Sequence, residues 1–340
     1  MIKLNNLLIN KDKSCTPIWF MRQAGRYLPE FRNIRKNNKD FIKLCLNSKL
    51  SSEITLQPIR RYDLDAAIIF SDILMIPFAL GQSVEFKKNF GPILSSFEIN
   101  KFKKQNIKDF SRKLSPVYKA ISKTRNKLEK SKSLICFVGA PWTLIVYMFA
   151  LKKNGNKINF NKMLDKNLDI EFVLKKLIKY SIIHIDNQIK AGADTVQIFD
   201  SWAGLIPNNY LKKFCYKPNQ EIVRHCKKKK IPVICFPKGI NKNYVKFNNL
   251  VRPDGLSLDY KVNPTWAKNN LKNVCLQGGL DPKFLLKKDS HLIPAVIKYL
   301  KIFENFPYIF NLGHGVLPKT SPKTIKKVVN LVKSYNGNKK

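Results

Sequence analysis

In Ala66-Ala67-Ile68-Ile69-Phe70-Ser71-Asp72 an unbroken apolar run over 66–70 is followed by a serine and an acid. A short apolar run bounded by polar residues reads as a strand. Similar β-rich runs lie at 17–21, 134–138, 195–199, 232–236, 255–258, 274–277 and 308–311. Longer segments with helical spacing lie at 110–129 and 170–191, and another follows the turn at Pro207-Asn208-Asn209 as far as 229. Pro322 suits the first turn of a closing helix over 321–335. Eight strand candidates alternating with helices over 340 residues imply an α/β fold, a single (β/α)8 barrel covering 1–340. An open doubly wound sheet is the alternative, but it would advertise a glycine-rich turn, and no G-x-G-x-x-G occurs. No internal repeat or Pro/Ser linker divides the chain. The stretch 87–108, with Gly91-Pro92 near its start, is the most loop-like and is expected to cover one end of the barrel.

Chemistry in such barrels sits at the C-terminal ends of the strands, so the residues after each run are the test. They are Arg22-Gln23-Ala24-Gly25-Arg26, Ser71-Asp72, Gly139-Ala140-Pro141-Trp142-Thr143-Leu144 with Tyr147 one turn on, and Asp200-Ser201-Trp202-Ala203-Gly204. Lys238, Asp259, Gly278-Gly279 before Asp281, and Gly313-His314-Gly315 follow. Loops in general are polar and glycine-rich, so the series argues more strongly than any member.

Arginine is scarce and lysine plentiful, yet Arg22, Arg26, Arg32 and Arg35 share one window. A guanidinium grips a carboxylate or phosphate through two parallel hydrogen bonds, which an ammonium cannot do. Gly25 between Arg22 and Arg26 would let backbone N–H groups approach a ligand. The plainer alternative is a helix start with both arginines on a wet face. Asp72 follows apolar residues, where an unpaired charge is costly, or else caps the next helix. His314 lies between two glycines and is either a turn residue or an accessible ring; Tyr147 could be core and Ser201 a cap.

Composition narrows the classes further. Hydrophobic residues make up 44%, which is globular, and the formal net charge is +40. Lysine is spread over nearly every helical segment beside abundant Asn and Ile, a compositional drift rather than a nucleic-acid patch. Lys227-Lys228-Lys229-Lys230 and Lys339-Lys340 read as solvated, although the overall charge can steer an anion inward. No apolar run approaches a membrane span and the start lacks a signal-peptide core, so a cytoplasmic location is expected. The seven cysteines form no C-x-x-C pair and read as buried free thiols. His184, His225, His291 and His314 show no H-E-x-x-H, and neither a G-x-S-x-G elbow nor a Walker loop occurs. The remaining constellation is arginines for anionic groups with one aspartate, one histidine and one tyrosine.

Met21-Arg22-Gln23-Ala24-Gly25-Arg26-Tyr27-Leu28-Pro29-Glu30-Phe31 resembles the N-terminal signature of the uroporphyrinogen decarboxylase family. Gly139-Ala140-Pro141-Trp142-Thr143-Leu144 with Tyr147 is similar to that family's second signature. Leu56-Gln57-Pro58 with Arg60-Arg61, Phe70-Ser71-Asp72-Ile73-Leu74, Leu276-Gln277-Gly278 before Leu280-Asp281-Pro282, and Asn311-Leu312-Gly313-His314-Gly315 match family blocks in order. Two departures stand out: Gly279 where members usually carry Asn, and Met148-Phe149-Ala150-Leu151-Lys152-Lys153 where they are glycine-rich or acidic.

The resemblance implies removal of the four acetate carboxyl groups of uroporphyrinogen III, giving coproporphyrinogen III, with no metal or organic cofactor. It assigns Asp72 to the pyrrole N–H groups of the substrate. Arg22 and Arg26, with the backbone of Gln23, Ala24 and Gly25, are assigned to carboxylates, and Tyr147, Ser201 and His314 complete the pocket. Arg22 and His314 both remain candidates for the proton donor, and a homodimer is the family expectation. A methyltransferase of the wider superfamily would carry a His-x-Cys zinc spacing, which is absent here. A basic RNA-binding scaffold on an inactive barrel has no need of Arg22, Arg26, Asp72, Tyr147 and His314 together.

Overall fold

The computed structural model describes residues 2–87, 91–152, 158–160 and 169–337. In chain order the strands are β1 (Ala66–Ile68), β2 (Val84–Lys87), β3 (Gly91–Leu94), β4 (Ser133–Gly139), β5 (Thr195–Asp200), β6 (Val233–Pro237), β7 (Gly255–Leu258), β8 (Cys275–Gly278) and β9 (Tyr308–Ile309). A seven-stranded sheet runs β1-β4-β5-β6-β7-β8-β9, each neighbour paired in parallel, as in the register Ile198↔Cys235. Helices such as Ile107–Arg125 and Ile170–Lys190 return the chain between strands. Parallel strands buried on both faces need apolar side chains on both, which is why these segments read as unbroken apolar runs.

Alternation along the strands separates two cores. Leu134, Cys136, Val196 and Ile198 face the surrounding helices. Ile135, Ile234, Cys275 and Ile309 pack inside the barrel with Trp19, Met21 and Leu4, Leu7 and Leu8 of the helix Lys3–Asn10. That helix plugs the end where the strands begin: a Cβ at Gly255, the first residue of β7, would lie 2.9 Å from Leu8 Cδ2. The opposite end, where the strands finish, carries two half-buried aromatics packed against this inner core, Phe137 and Phe199, whose rings meet edge to face at 5.6 Å.

The strand expected at 17–21 is not a regular strand, because side chains share its pairing with backbone groups. It bridges the two edges of the sheet through Ile18↔Phe310, with Phe310 N–H donating to Pro17 O (2.9 Å) and Asp65 N–H to Ile18 O (2.9 Å). The Asp65 carboxylate accepts from Ile18 N–H at 2.8 Å, and Asn311 Oδ1 accepts from Met21 N–H at 3.0 Å. Lys333 of the closing helix Pro322–Gly337 reaches the other oxygen of Asp65 at 2.7 Å.

Three other expectations shift. The stretch 87–108 contains most of a hairpin, β2 with β3, and the helix Ile99–Lys104; residues 88–90 lie outside the described residues. The helix expected up to 229 follows the short turn Asn208–Tyr210 and runs from 211 to Lys228, with a π-helical stretch at Lys212–Tyr216 leading directly into Lys217–Lys228. Cys15 is half-buried, while the other cysteines are buried free thiols as expected. Among the described residues no helix is long and apolar enough to cross a membrane.

Candidate active site

The segment from Arg22 to Arg26 is a turn, not a helix start; the helix that begins at Pro29 carries Arg32 and Arg35. Arg22 adopts a left-handed backbone with φ 60°, a conformation with a steric cost for any residue bearing a Cβ. Its flanks hold it there. Gln23 is fully buried, its Oε1 accepting from Phe20 N–H at 3.1 Å and its Nε2 donating to Ala66 O at 3.1 Å. Tyr27 Oη donates to Gln23 O at 2.8 Å, and Val316 N–H donates to Met21 O at 2.9 Å. The Gln23 side chain therefore ties the turn to β1. Among the described residues no acceptor takes the N–H of Ala24 or Gly25, so both are free to meet an anion.

The stem of Arg22 lies across the backbone of Gly315, where a Cβ would come within 2.4 Å of Arg22 Cδ. Gly313 is equally constrained, its Cβ falling 2.3 Å from Tyr260 N. The glycines around His314 thus let the turns after β7 and β9 and the arginine turn approach one another.

Asp72 follows β1 and keeps part of its surface open to solvent. One oxygen accepts from Leu74 N–H at 2.8 Å, an Asx turn ahead of the short helix Met75–Ala79. Burial by the atoms packed round it pushes its pKa up to about 6, against the opposing pull of the Leu74 hydrogen bond and the Arg22 charge. The cap alternative holds only in part, since the residue flanking that helix is Leu74. Tyr147, on the helix Pro141–Met148, is pushed above the usual tyrosine range by burial and feels both Asp72 and Arg22. His314 is pushed down to about 4, by burial first and then by the positive charges of Arg22 and Lys238.

Arg22 thus lies within electrostatic reach of Asp72, Tyr147, His314 and Lys238, residues from five segments of the chain. The family model described as uroporphyrinogen decarboxylase (URO-D) matches residues 3–335. The chain belongs to the uroporphyrinogen decarboxylase family. It is 43% identical to the uroporphyrinogen decarboxylase of Orientia tsutsugamushi (strain Ikeda) over 344 residues, 99% of each chain. It is 42% identical to that of Rickettsia bellii (strain RML369-C), covering 94% of this chain and 95% of that one. A solved methyltransferase from Methanosarcina mazei shares the fold, with a TM-score of 0.78 at 15% identity over 98% of this chain and 97% of that one.

Two further sequence-selected residues are placed by the turns they belong to. Arg26 is exposed and its carbonyl accepts from Arg32 Nη1 at 3.0 Å. Ser201 is half-buried just beyond β5 and does not cap the following turn, whose flanking residue is Trp202. Lys238, at the end of β6, stood among the strand-end residues in the sequence, where nothing marked it for a role. A cavity of about 430 Å³ lined by Glu30, Glu53, Gln57, Arg60 and Arg61 lies elsewhere. Its charges are paired internally, Arg61 with Glu30 at 2.8 Å and Arg60 with Glu53. Among the described residues no three His, Cys, Asp or Glu side chains converge as a metal site would require.

Both departures from the family pattern have structural consequences. Gly279 has φ +99°, and a Cβ there would lie 2.9 Å from the ring of Tyr299, whose hydroxyl donates to Gly279 O at 2.8 Å. The tyrosine occupies the space an asparagine would need. In the other, Phe149 packs on Phe97 at 4.3 Å and Lys152 sets its ammonium 4.9 Å from the Trp202 ring, which itself meets Tyr147 at 6.0 Å. Lys153 lies outside the described residues.

Proposed function

We propose that this chain removes the four acetate carboxyl groups of uroporphyrinogen III, releasing CO2 and leaving coproporphyrinogen III. The observation that carries the reading is Asp72: a carboxylate held by one backbone N–H at 2.8 Å, shielded enough to raise its pKa to about 6, and lying beside Arg22. Losing CO2 leaves an electron pair that needs a sink, and many decarboxylases borrow one from a cofactor. A pyrrole protonated at a ring carbon supplies its own. The C–CO2 bond breaks and its electron pair enters the cationic ring. A proton then adds to the exocyclic methylene, and loss of the ring-carbon proton restores the pyrrole.

Each step asks something specific of the protein. Asp72 faces the pyrrole N–H groups and stabilises the cationic ring, an interaction stronger in the transition state than in the ground state. Arg22 and Arg26, with the free N–H groups of Ala24 and Gly25, take carboxylates; Tyr147, Ser201 and His314 complete the pocket. His314, with a pKa of about 4, is neutral near pH 7 in the free protein and enters as a hydrogen-bonding ring. It becomes a proton donor only once substrate carboxylates offset Arg22 and Lys238. The excess of basic residues steers a polyanion inward without a nucleic-acid partner. The proposal includes a cytoplasmic location, in keeping with the buried free thiols, and a pair of identical chains, which sedimentation would read.

An anaerobic assay with reduced uroporphyrinogen, products resolved by carboxyl number, tests the function. Products stepping from eight carboxyl groups to four support it; unchanged substrate sinks it.

A further inference from the structure

Lys238 has a fixed backbone and a free end. Its N–H donates to Asp200 O at 3.1 Å and its carbonyl accepts from Gly204 N–H at 2.9 Å. The next residue, Gly239, has φ +83° and donates its N–H to the Asp259 carboxylate at 2.9 Å. Gly204 presses so closely that a Cβ on it would lie 2.6 Å from Gly239 O. The ammonium is different: among the described residues no hydrogen bond or ion pair holds it, although the side chain is half-buried. The nearest acid, Asp259, is engaged by Gly239 N–H, by Tyr244 Oη at 3.2 Å and by Lys261 N–H at 3.0 Å. Round the barrel β6 is separated from β1 by β4 and β5, so Lys238 stands well away from Asp72 while sharing the mouth with Arg22 and His314.

A half-buried ammonium that no acceptor holds directly, and that feels the already engaged Asp259 carboxylate only through its field, is built on its pinned backbone to receive an anion from outside. We propose that Lys238 is a substrate-anchoring residue that binds a propionate carboxylate on the rim of the porphyrinogen, well round the mouth from Asp72. The inference rests on the decarboxylase reading. The choice of propionate over acetate follows from charge: an acetate that leaves as CO2 loses its negative charge. An ammonium paired with that acetate would stabilise the ground state and oppose the reaction. A propionate keeps its charge throughout, so its ion pair adds binding without cost to turnover.

The test is Lys238→Met, with Lys238→Gln run in parallel as a second neutral variant and Lys238→Arg as the conservative one. KM and kcat for uroporphyrinogen are measured anaerobically, and Kd for coproporphyrinogen, which retains only the propionates, is measured by fluorescence titration. Both neutral variants should raise KM and Kd by about tenfold, the scale of one lost charge-assisted contact. In them kcat should stay within about threefold, and Lys238→Arg should recover most of the affinity. Unchanged KM and Kd overturn the proposal. A raised KM with unchanged Kd moves the ammonium to an acetate and also overturns it. A fall in Tm that Asp259→Asn restores makes Lys238 a structural partner of Asp259 and overturns it as well. The titration needs no turnover, so an inactive wild-type protein sinks the decarboxylase reading by itself; an active one with unaltered variant binding sinks only Lys238.

Discussion

Two aspartates stand at strand ends in almost the same sequence context, Phe70-Ser71-Asp72 after β1 and Phe199-Asp200-Ser201 at β5. Burial pushes both to about 6 from an ordinary value of 3.8. What separates them is company. Asp200 is buried, accepts from Thr143 Oγ1 at 2.8 Å and Asn219 Nδ2 at 3.3 Å, and so is spent inside the protein. Asp72 accepts one backbone N–H and keeps partial solvent access, which leaves an oxygen for a ligand. A raised carboxyl pKa therefore does not by itself mark a catalytic group; the unfilled lone pairs do.

Exchanging the Asp72 charge for an amide is the largest expected blow to that contrast. Asp72→Asn keeps size and most hydrogen bonding, so kcat should fall by roughly a hundredfold or more, in line with losing one preorganised electrostatic contact. Asp72→Glu should also be poor, because its extra methylene pushes the carboxylate into the space of the macrocycle. Anaerobic turnover with circular dichroism to confirm folding reads both. Near-wild-type turnover in folded Asp72→Asn would reduce Asp72 to the turn it makes with Leu74.

The pH profile sharpens the assignment. In the proposed mechanism Asp72 is ionised when it favours the cationic ring, so kcat/KM of the free protein should fall about tenfold per pH unit below about 6. Because Asp200 has a similar pKa, the limb alone is ambiguous. It should persist unshifted in Asp200→Asn; its disappearance there would assign the limb to the wrong carboxyl.

Arg22→Lys comes next. Charge is conserved, but the planar fork is lost and the stem no longer fits against Gly315 in the same way. A loss of about tenfold in kcat/KM is expected, and a smaller one for Arg26→Lys, since the charge felt by Asp72, Tyr147 and His314 is that of Arg22. Equal, near-normal values in both would mean that these arginines act on the substrate only at a distance.

The parts of this molecule that were legible in sequence are those governed by local pattern. Buried parallel strands read as unbroken apolar runs, and most runs lie within a residue or two of the observed strands. Four of the selected strand-end residues, Arg22, Asp72, Tyr147 and His314, come within electrostatic reach of Arg22 or carry that charge themselves. What stayed hidden depends on partners remote in the chain. Thr143 and Asn219 decide that Asp200 is closed, and neither is adjacent to it in sequence. Asp65, Asn311 and Gln23 replace ladder hydrogen bonds beside 17–21, so an apparent strand has little regular pairing. The helix Lys3–Asn10 looks unremarkable until its leucines prove to plug the barrel. Lys238 is one lysine among many, and only its half-buried, unbonded ammonium beside Arg22 and His314 singles it out.

The smallest effect on turnover, and the one that would most directly break the contrast, belongs to Asp200→Asn. Thr143 Oγ1 donates to Asp200 and accepts from Trp202 N–H at 3.2 Å, while Trp142 Nε1 donates to Trp202 O at 2.9 Å. The pair thus holds the loop that sets Trp202 against Tyr147. An amide at 200 can still accept from Thr143 but turns a donor toward Asn219 Nδ2, which already donates to Cys215 O at 2.8 Å. One mismatched buried pair costs about 1–3 kcal/mol. Against this, the substitution relieves the burial of a charge, and that relief depends on pH. A carboxyl whose folded pKa is raised penalises the fold above about 6, and the penalty lifts as pH falls toward the ordinary 3.8. The variant should therefore be only slightly less stable than wild type at pH 7 and clearly less stable at pH 5, with kcat within a few-fold throughout. Urea unfolding at both values, beside turnover at pH 7, checks this. A large loss of kcat with intact stability would instead show that Asp200, through Trp202, governs the chemistry as strongly as Asp72 does.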